Sequence, residues 1–156
     1  MRVIEGVMLL RQQVHSDRRG LLVSLEEEAS LPFPLERVFF MKVDRAGIER
    51  GGHANSCDEF ILPLAGSVTV EVDNGVERAS VLLSEHDRGL WVQPGILIHL
   101  RAFERGTTLL VCASARYEDT RHYEAAQPRL AGPAPAAASL SPTLPQLHPA
   151  ALACPA

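Results

Sequence analysis

Cysteine is scarce in this sequence. Cys57, Cys112 and Cys154 are three in 156 residues, with neither the even count nor the density of a disulfide framework, and no two stand at C-x-x-C spacing. They read as reduced thiols of a cytoplasmic protein. Long apolar runs are missing too. The short patch at residues 7–10 follows an acidic residue and is ended at once by polar ones, so neither a membrane span nor a signal peptide is expected. A surplus of basic charge is also absent. The formal charge of -4 offers no face for neutralising the phosphates of nucleic acid or of an anionic membrane, although individual arginines remain for one anionic ligand. Helical periodicity is nearly absent, and no internal repeat is visible.

What remains is strand. With 46% hydrophobic residues the chain is long enough for one core and too short for two. Residues 6–14 and 20–25 favour extended structure around a polar turn at 15–19, an expected opening hairpin. The acidic run Glu26-Glu27-Glu28 reads as a solvated strand end or loop. Pro32 and Pro34 break any helix before a β-branched and aromatic strand at 37–43. Two strands, 60–64 and 67–72, join around Gly66, and in the second Val68, Val70 and Val72 alternate with polar residues as a half-buried strand does. Asp73-Asn74-Gly75 predicts a tight primed turn into 79–83, and 107–113 is the last strong strand. Short, regularly spaced strands with glycine turns predict an all-β jelly-roll barrel. The composition changes at Ala125, where scattered prolines forbid a packed helix or central strand. One domain is therefore expected over 1–124 with a disordered or loosely draped tail over 125–156, in which 144–152 is a short apolar piece able to dock on a partner.

The centre of the chain is Gly47 followed by Arg50, Gly51, Gly52, His53, Ala54, Asn55 and Glu59, closed by Gly66. Alternate side chains of an extended chain share a face, so His53 and Asn55 look into one cavity. The spacing resembles the first motif of the cupin superfamily, with Asn55 where a second histidine usually stands. Residues 89–99, a glycine, an apolar strand, Pro94-Gly95 and then His99, resemble a degraded second motif.

Over about residues 6–123 the chain is similar to one cupin family, the WxcM-like sugar 3,4-ketoisomerases that act on dTDP-4-keto-6-deoxyglucose in deoxysugar biosynthesis. The resemblance rests on Arg19-Gly20 with Leu22-Val23 and Glu26-Glu27, and on Leu31-Pro32-Phe33 leading into Arg37-Val38-Phe39-Phe40. It continues in Arg50-Gly51-x-His53-Ala54, in residues 66–75, in Gly89-Leu90-Trp91-Val92 with Pro94, and in Ala113-Ser114 with Tyr117. It implies an RmlC-like homodimer working without a metal or other cofactor on a nucleotide sugar. It also implies a proton shuttle in which an imidazole, neutral and charged forms both accessible near pH 7, moves a hydrogen between C3 and C4.

Matched residue by residue, His53 is the expected acid/base. Arg50 is expected to meet the diphosphate or sugar, and Arg37, Phe40, Asn55, Glu59 and His99 are the further substrate-binding candidates. Asn55 occupies the place to which the family assigns proton abstraction, and a carboxamide cannot shuttle protons. His99 falls one residue late, which turns it to the opposite face unless a bulge restores it. Two other readings stay open. One is a diverged, non-catalytic cupin that binds a nucleotide sugar. The other is a metal-dependent cupin enzyme holding its ion on His53, Asn55, Glu59 and His99. His15, His86, His122 and His148 read as solvated, Trp91 as packing, and Cys57 as no nucleophile.

Overall fold

Alternation builds the scaffold: Val68, Val70 and Val72 are buried and Thr69 and Glu71 between them are not, as the two-residue period of a strand with one wet face requires. The computed structural model describes residues 1–131. Its strands are β1 (Arg2–Ile4), β2 (Val7–Arg11), β3 (Val14–Asp17), β4 (Gly20–Val23), β5 (Arg37–Lys42), β6 (Arg50–Asn55) and β7 (Glu59–Ala65). There follow β8 (Val68–Asp73), β9 (Arg78–Leu83), β10 (Arg88–Val92), β11 (Leu97–Arg101), β12 (Thr108–Ala113), one 3-10 turn at Tyr117–Asp119, and β13 (His122–Tyr123). A six-stranded sheet, β1-β2-β10-β7-β12-β5, faces a five-stranded sheet, β13-β6-β11-β8-β9, with β3-β4 a separate hairpin. This is the all-β jelly-roll expected.

The main core lies between the two sheets, where Val7, Ile61, Leu90, Val92, Leu109 and Val111 meet Val68, Val70, Val72, Ile98 and Leu100. A second cluster covers the other face of the six-stranded sheet. Leu31 and Phe33, brought in by the proline-bounded segment before β5, pack on Phe60, Leu62, Trp91 and Cys112. Strand β7 is therefore apolar on both sides, Phe60 and Leu62 outward and Ile61 inward, which is why its sequence shows no alternation. Trp91 is packing as expected, its indole N–H donating to Asp58 at 2.8 Å.

Three local expectations are corrected. The opening hairpin is β3-β4, with Asp17 opposite Gly20. Residues 15–17, expected in the turn, are strand, because the Asp17 carboxylate accepts the Arg19 backbone N–H at 2.8 Å and closes a two-residue turn. Strand β2 ends earlier and pairs with β1 and β10 instead. The β8-β9 connection is not a tight primed turn but a four-residue loop, since Asp73 pairs with Arg78. Inside it the buried Asn74 side chain accepts the N–H groups of Val76 and Glu77 at 2.9 and 2.7 Å. Lastly, the chain stays packed beyond Ala125. The Gln127 N–H donates to the Gly95 carbonyl at 2.7 Å, and Ala131 packs against the main core. The rest of the expected tail, with its 144–152 segment, lies outside the described residues.

Candidate active site

Strand β6 is irregular at its centre. Ala54 and His53 pair with Leu97 and Ile98, but the next partner of β11, His99, faces Gly51. Gly52 is thus the extra residue of a β-bulge. Gly51 and Gly52 have φ of 81° and 79°, and a Cβ on Gly51 would sit 2.6 Å from the Ile98 carbonyl oxygen. Only glycine fits both demands. Residues directly opposite across a pair share a face, so His53, opposite the core residue Ile98, points inward, and Arg50, opposite Leu100, lies on the same side at the exposed rim. Asn55, two residues after His53, is buried.

The bulge does not bring His99 to this face. It lies in β6, not β11, so His99 keeps the side opposite Ile98 and Leu100. It stands across from Glu71, in a shallow groove of about 430 Å³ shared with Arg101 and Ser80. The expected placement of His99 with His53 is therefore corrected, and the four-donor metal set is split between two faces. Among the described residues no group of three or more His, Cys, Asp or Glu side chains can hold a metal ion.

The opposite wall comes from the six-stranded sheet. Ala113 of β12 stands between Glu59 of β7 and Arg37 of β5 in one row, and Glu59 also faces the core residue Val92. Arg37 and Glu59 consequently project inward, Arg37 Nη2 lying 3.7 Å from Glu59 Oε1. The Arg37 guanidinium covers the Phe39 ring at 5.2 Å and the Tyr117 ring at 5.7 Å. Phe40 is corrected by the same parity. Arg37, Phe39 and Met41 alternate inward, so Phe40 is turned out and is 72% exposed, and the aromatic at the mouth is Phe39.

Two residues not singled out for the site join it. Strand β13 pairs with β6 so that His122 stands opposite Asn55, and its ring lies 5.2 Å from that of His53, edge to face. Tyr117 is next, 5.8 Å from His122. A two-residue strand carries no periodicity, so nothing local marked His122 as other than solvated; Tyr117 was visible only as part of the family pattern.

Burial is the main force lowering the His53 pKa, with repulsion from His122 and His99 adding to it and a hydrogen bond to the Gly51 backbone opposing it. The ring is thereby biased to the neutral, proton-accepting form. Burial also raises Glu59, which the Asn55 carboxamide and the Arg37 guanidinium partly offset. Asn55 Oδ1 and Arg37 Nε are buried without a hydrogen-bond partner. Orphaned polar atoms cost stability unless something visits them, and two at one mouth mark a place for a polar ligand. Burial raises the Cys57 thiol, which keeps it inert. The larger apolar cavity, about 470 Å³ and lined by Leu21, Leu62, Leu64 and Leu110 among others, lies behind the six-stranded sheet, away from this chemistry.

A jelly-roll barrel with an imidazole, a carboxylate and a guanidinium gathered at its mouth defines a cupin-type small-molecule site. The chain belongs to the FdtA family, WxcM-like C-terminal domains, which it matches over residues 5–127. It is 30% identical over 105 residues to the TDP-4-oxo-6-deoxy-alpha-D-glucose-3,4-oxoisomerase of Aneurinibacillus thermoaerophilus, spanning 67% of this chain and 76% of that one. The WlaRB TDP-quinovose 3,4-ketoisomerase of Campylobacter jejuni superposes with a TM-score of 0.74 at 25% identity, over 78% of this chain and 94% of that one. A histidine-to-asparagine variant of the QdtA 3,4-ketoisomerase from Thermoanaerobacterium thermosaccharolyticum, in complex with TDP-4-keto-6-deoxyglucose, gives 0.72 at 25% identity over 76% and 88%.

Proposed function

We propose that this protein is a 3,4-ketoisomerase of a nucleotide-linked 4-keto-6-deoxyhexose in deoxysugar biosynthesis. The observation that carries the reading is the inward, half-buried His53 beside the orphaned polar atoms of Asn55 and Arg37. The C4 ketone acidifies the hydrogen on C3, and the neutral imidazole of His53 removes it as a proton. The charge that develops on the C3–C4 enediolate needs donors already in place, because fixed dipoles pay no reorganisation when the charge appears. Arg37 stands there, its Nε buried without a partner, while the unpaired atom of Asn55 is Oδ1, which accepts from a sugar hydroxyl. Arg50, exposed at the rim on the same face, suits the diphosphate with its forked donors. Phe39 takes the aromatic role expected of Phe40, and His99 has none. Glu59 holds Arg37.

Incubation with dTDP-4-keto-6-deoxyglucose in deuterated water tests this: deuterium enters the sugar ring and a 3-keto product forms. No exchange and no product would reject it. Asn55 favours one other reading, a cupin that binds the nucleotide sugar without turning it over. That reading predicts tight binding by wild type and His53→Ala alike, with neither producing a 3-keto sugar.

The protein acts as a homodimer in the cytoplasm in this reading. Val38 and Phe40 on β5, Leu64 on β7, and Leu21 and Leu22 of the β3-β4 hairpin are large apolar side chains left exposed, and a second copy is the natural cover for them. Light scattering after gel filtration gives twice the chain mass if so. The buried free thiols Cys57 and Cys112 and a nucleotide-sugar substrate suit a reducing cytoplasm. Among the described residues no helix is long and apolar enough to cross a membrane.

A further inference from the structure

Moving a carbonyl from C4 to C3 takes two kinds of proton transfer, at carbon and at oxygen. A single imidazole must do both in turn or rely on water. In this chain the position two residues after His53 is an asparagine, and Asn55 cannot accept or give a proton near neutrality. Yet the residue paired opposite Asn55 is a histidine. His122 comes in on β13 from 67 residues later, stands across from Asn55 on the edge of β6, and sets its ring edge to face with His53 at 5.2 Å. Opposite residues share a face, so its side chain leaves the sheet on the side that Asn55 faces. Tyr117, 5.8 Å away, is linked through the Arg37 guanidinium to the opposite wall. The other titratable or charged groups near the pair are Glu59, beside Arg37, Arg50 at the rim of the same face, and His99, which acts on His53 from the other face of β11.

We propose that His122 is the second proton-transfer group of the reaction, supplying from β13 the imidazole that the 55 position lacks. The assignment rests on the isomerase reading above. The protons balance over two steps. His53, neutral, takes the hydrogen of C3 as a proton while protonated His122 gives one to the C4 oxygen, leaving the C3–C4 enediol. His122, now neutral, then takes the proton of the C3 hydroxyl as the C3 carbonyl forms, and His53 returns its proton to C4. Both rings finish as they began. Each touches reacting atoms, and neither needs an outside oxidant, reductant or metal.

The experiment is a pH profile of kcat/KM with dTDP-4-keto-6-deoxyglucose for wild type, His122→Asn and His122→Phe, with TDP affinity measured alongside. His122 is exposed and at a sheet edge, so both variants keep the fold, and TDP binds them as it binds wild type. Wild type loses kcat/KM at acid pH as His53 protonates. Both variants lose about 100-fold in kcat/KM, the lower range for a general acid, while the acid limb set by His53 and the affinity for TDP stay as in wild type. Wild type that is active while both variants stay within about threefold of it would overturn the role of His122 and leave the isomerase standing. An inactive wild type that still binds TDP would overturn both readings together.

Discussion

Strands β6 and β7 run through the same barrel and are built on opposite terms. Strand β7 pairs on both sides with long neighbours and is buried on both faces, with Phe60, Ile61 and Leu62 almost wholly inside. Strand β6 carries two left-handed glycines and a bulge, and one of its edges is covered only by the two residues of β13. The contrast shows where a protein of this size can place chemistry. A doubly buried strand tolerates almost no polar atom that is not paired, so it contributes one carboxylate, Glu59, at its very end. An irregular strand bordered by a short one leaves side chains half in water, where an imidazole can both bind substrate and exchange protons.

Breaking the β6 side comes first, because its effect is largest. His53→Gln abolishes isomerisation, lowering kcat by about 100- to 10,000-fold as loss of a general acid/base does, while thermal unfolding shifts little. The β7 side fails in the other currency. Gly89 faces Phe60 so closely that any Cβ would run into the ring. Gly89→Ala therefore costs about 1–3 kcal/mol of stability by overpacking, read from urea unfolding, with kcat of the folded fraction unchanged. Unaltered stability would mean that the second core is looser than its burial indicates.

Asn55→His sharpens the comparison within β6. Added to His122→Asn it restores activity by at least about tenfold, because an imidazole returns to the same mouth, and steady-state kinetics decide it. The pH dependence follows from burial. The neutral ring is the active form of His53 and its pKa is lowered, so activity persists on acidification and is lost only below the ordinary imidazole value of about 6.5. An acid limb above that value in kcat/KM would contradict the half-buried placement. Smallest in energy is Phe40→Asp on the outward face of β5. It changes the stability of one chain by about 0.5 kcal/mol or less and, in the homodimer proposed above, shows itself as a halved mass in light scattering.

Much of this was legible in order along the chain. The valine alternation of β8, the Pro94-Gly95 turn and the shared face of His53 and Asn55 are consequences of a two-residue period, and the Gly51-Gly52 pair announces backbone that other residues cannot adopt. Parity misled where it lacked an anchor. Phe39 and Phe40 are chemically alike, and only the pairing of β5 with β12 assigns one to the mouth and the other to the surface. His99 sits beyond a turn whose geometry decides its face, and the bulge that was to restore it formed in the partner strand.

Local pattern thus established the barrel, the strand bearing His53 and the scarcity of any second imidazole near it, since each follows from neighbouring residues and their steric limits. Tertiary structure alone decided what surrounds that ring. The meeting of Arg37 with Glu59, and of His122 with Asn55, is set by registers between strands far apart in the chain, and no spacing along a sequence encodes a register closed through space.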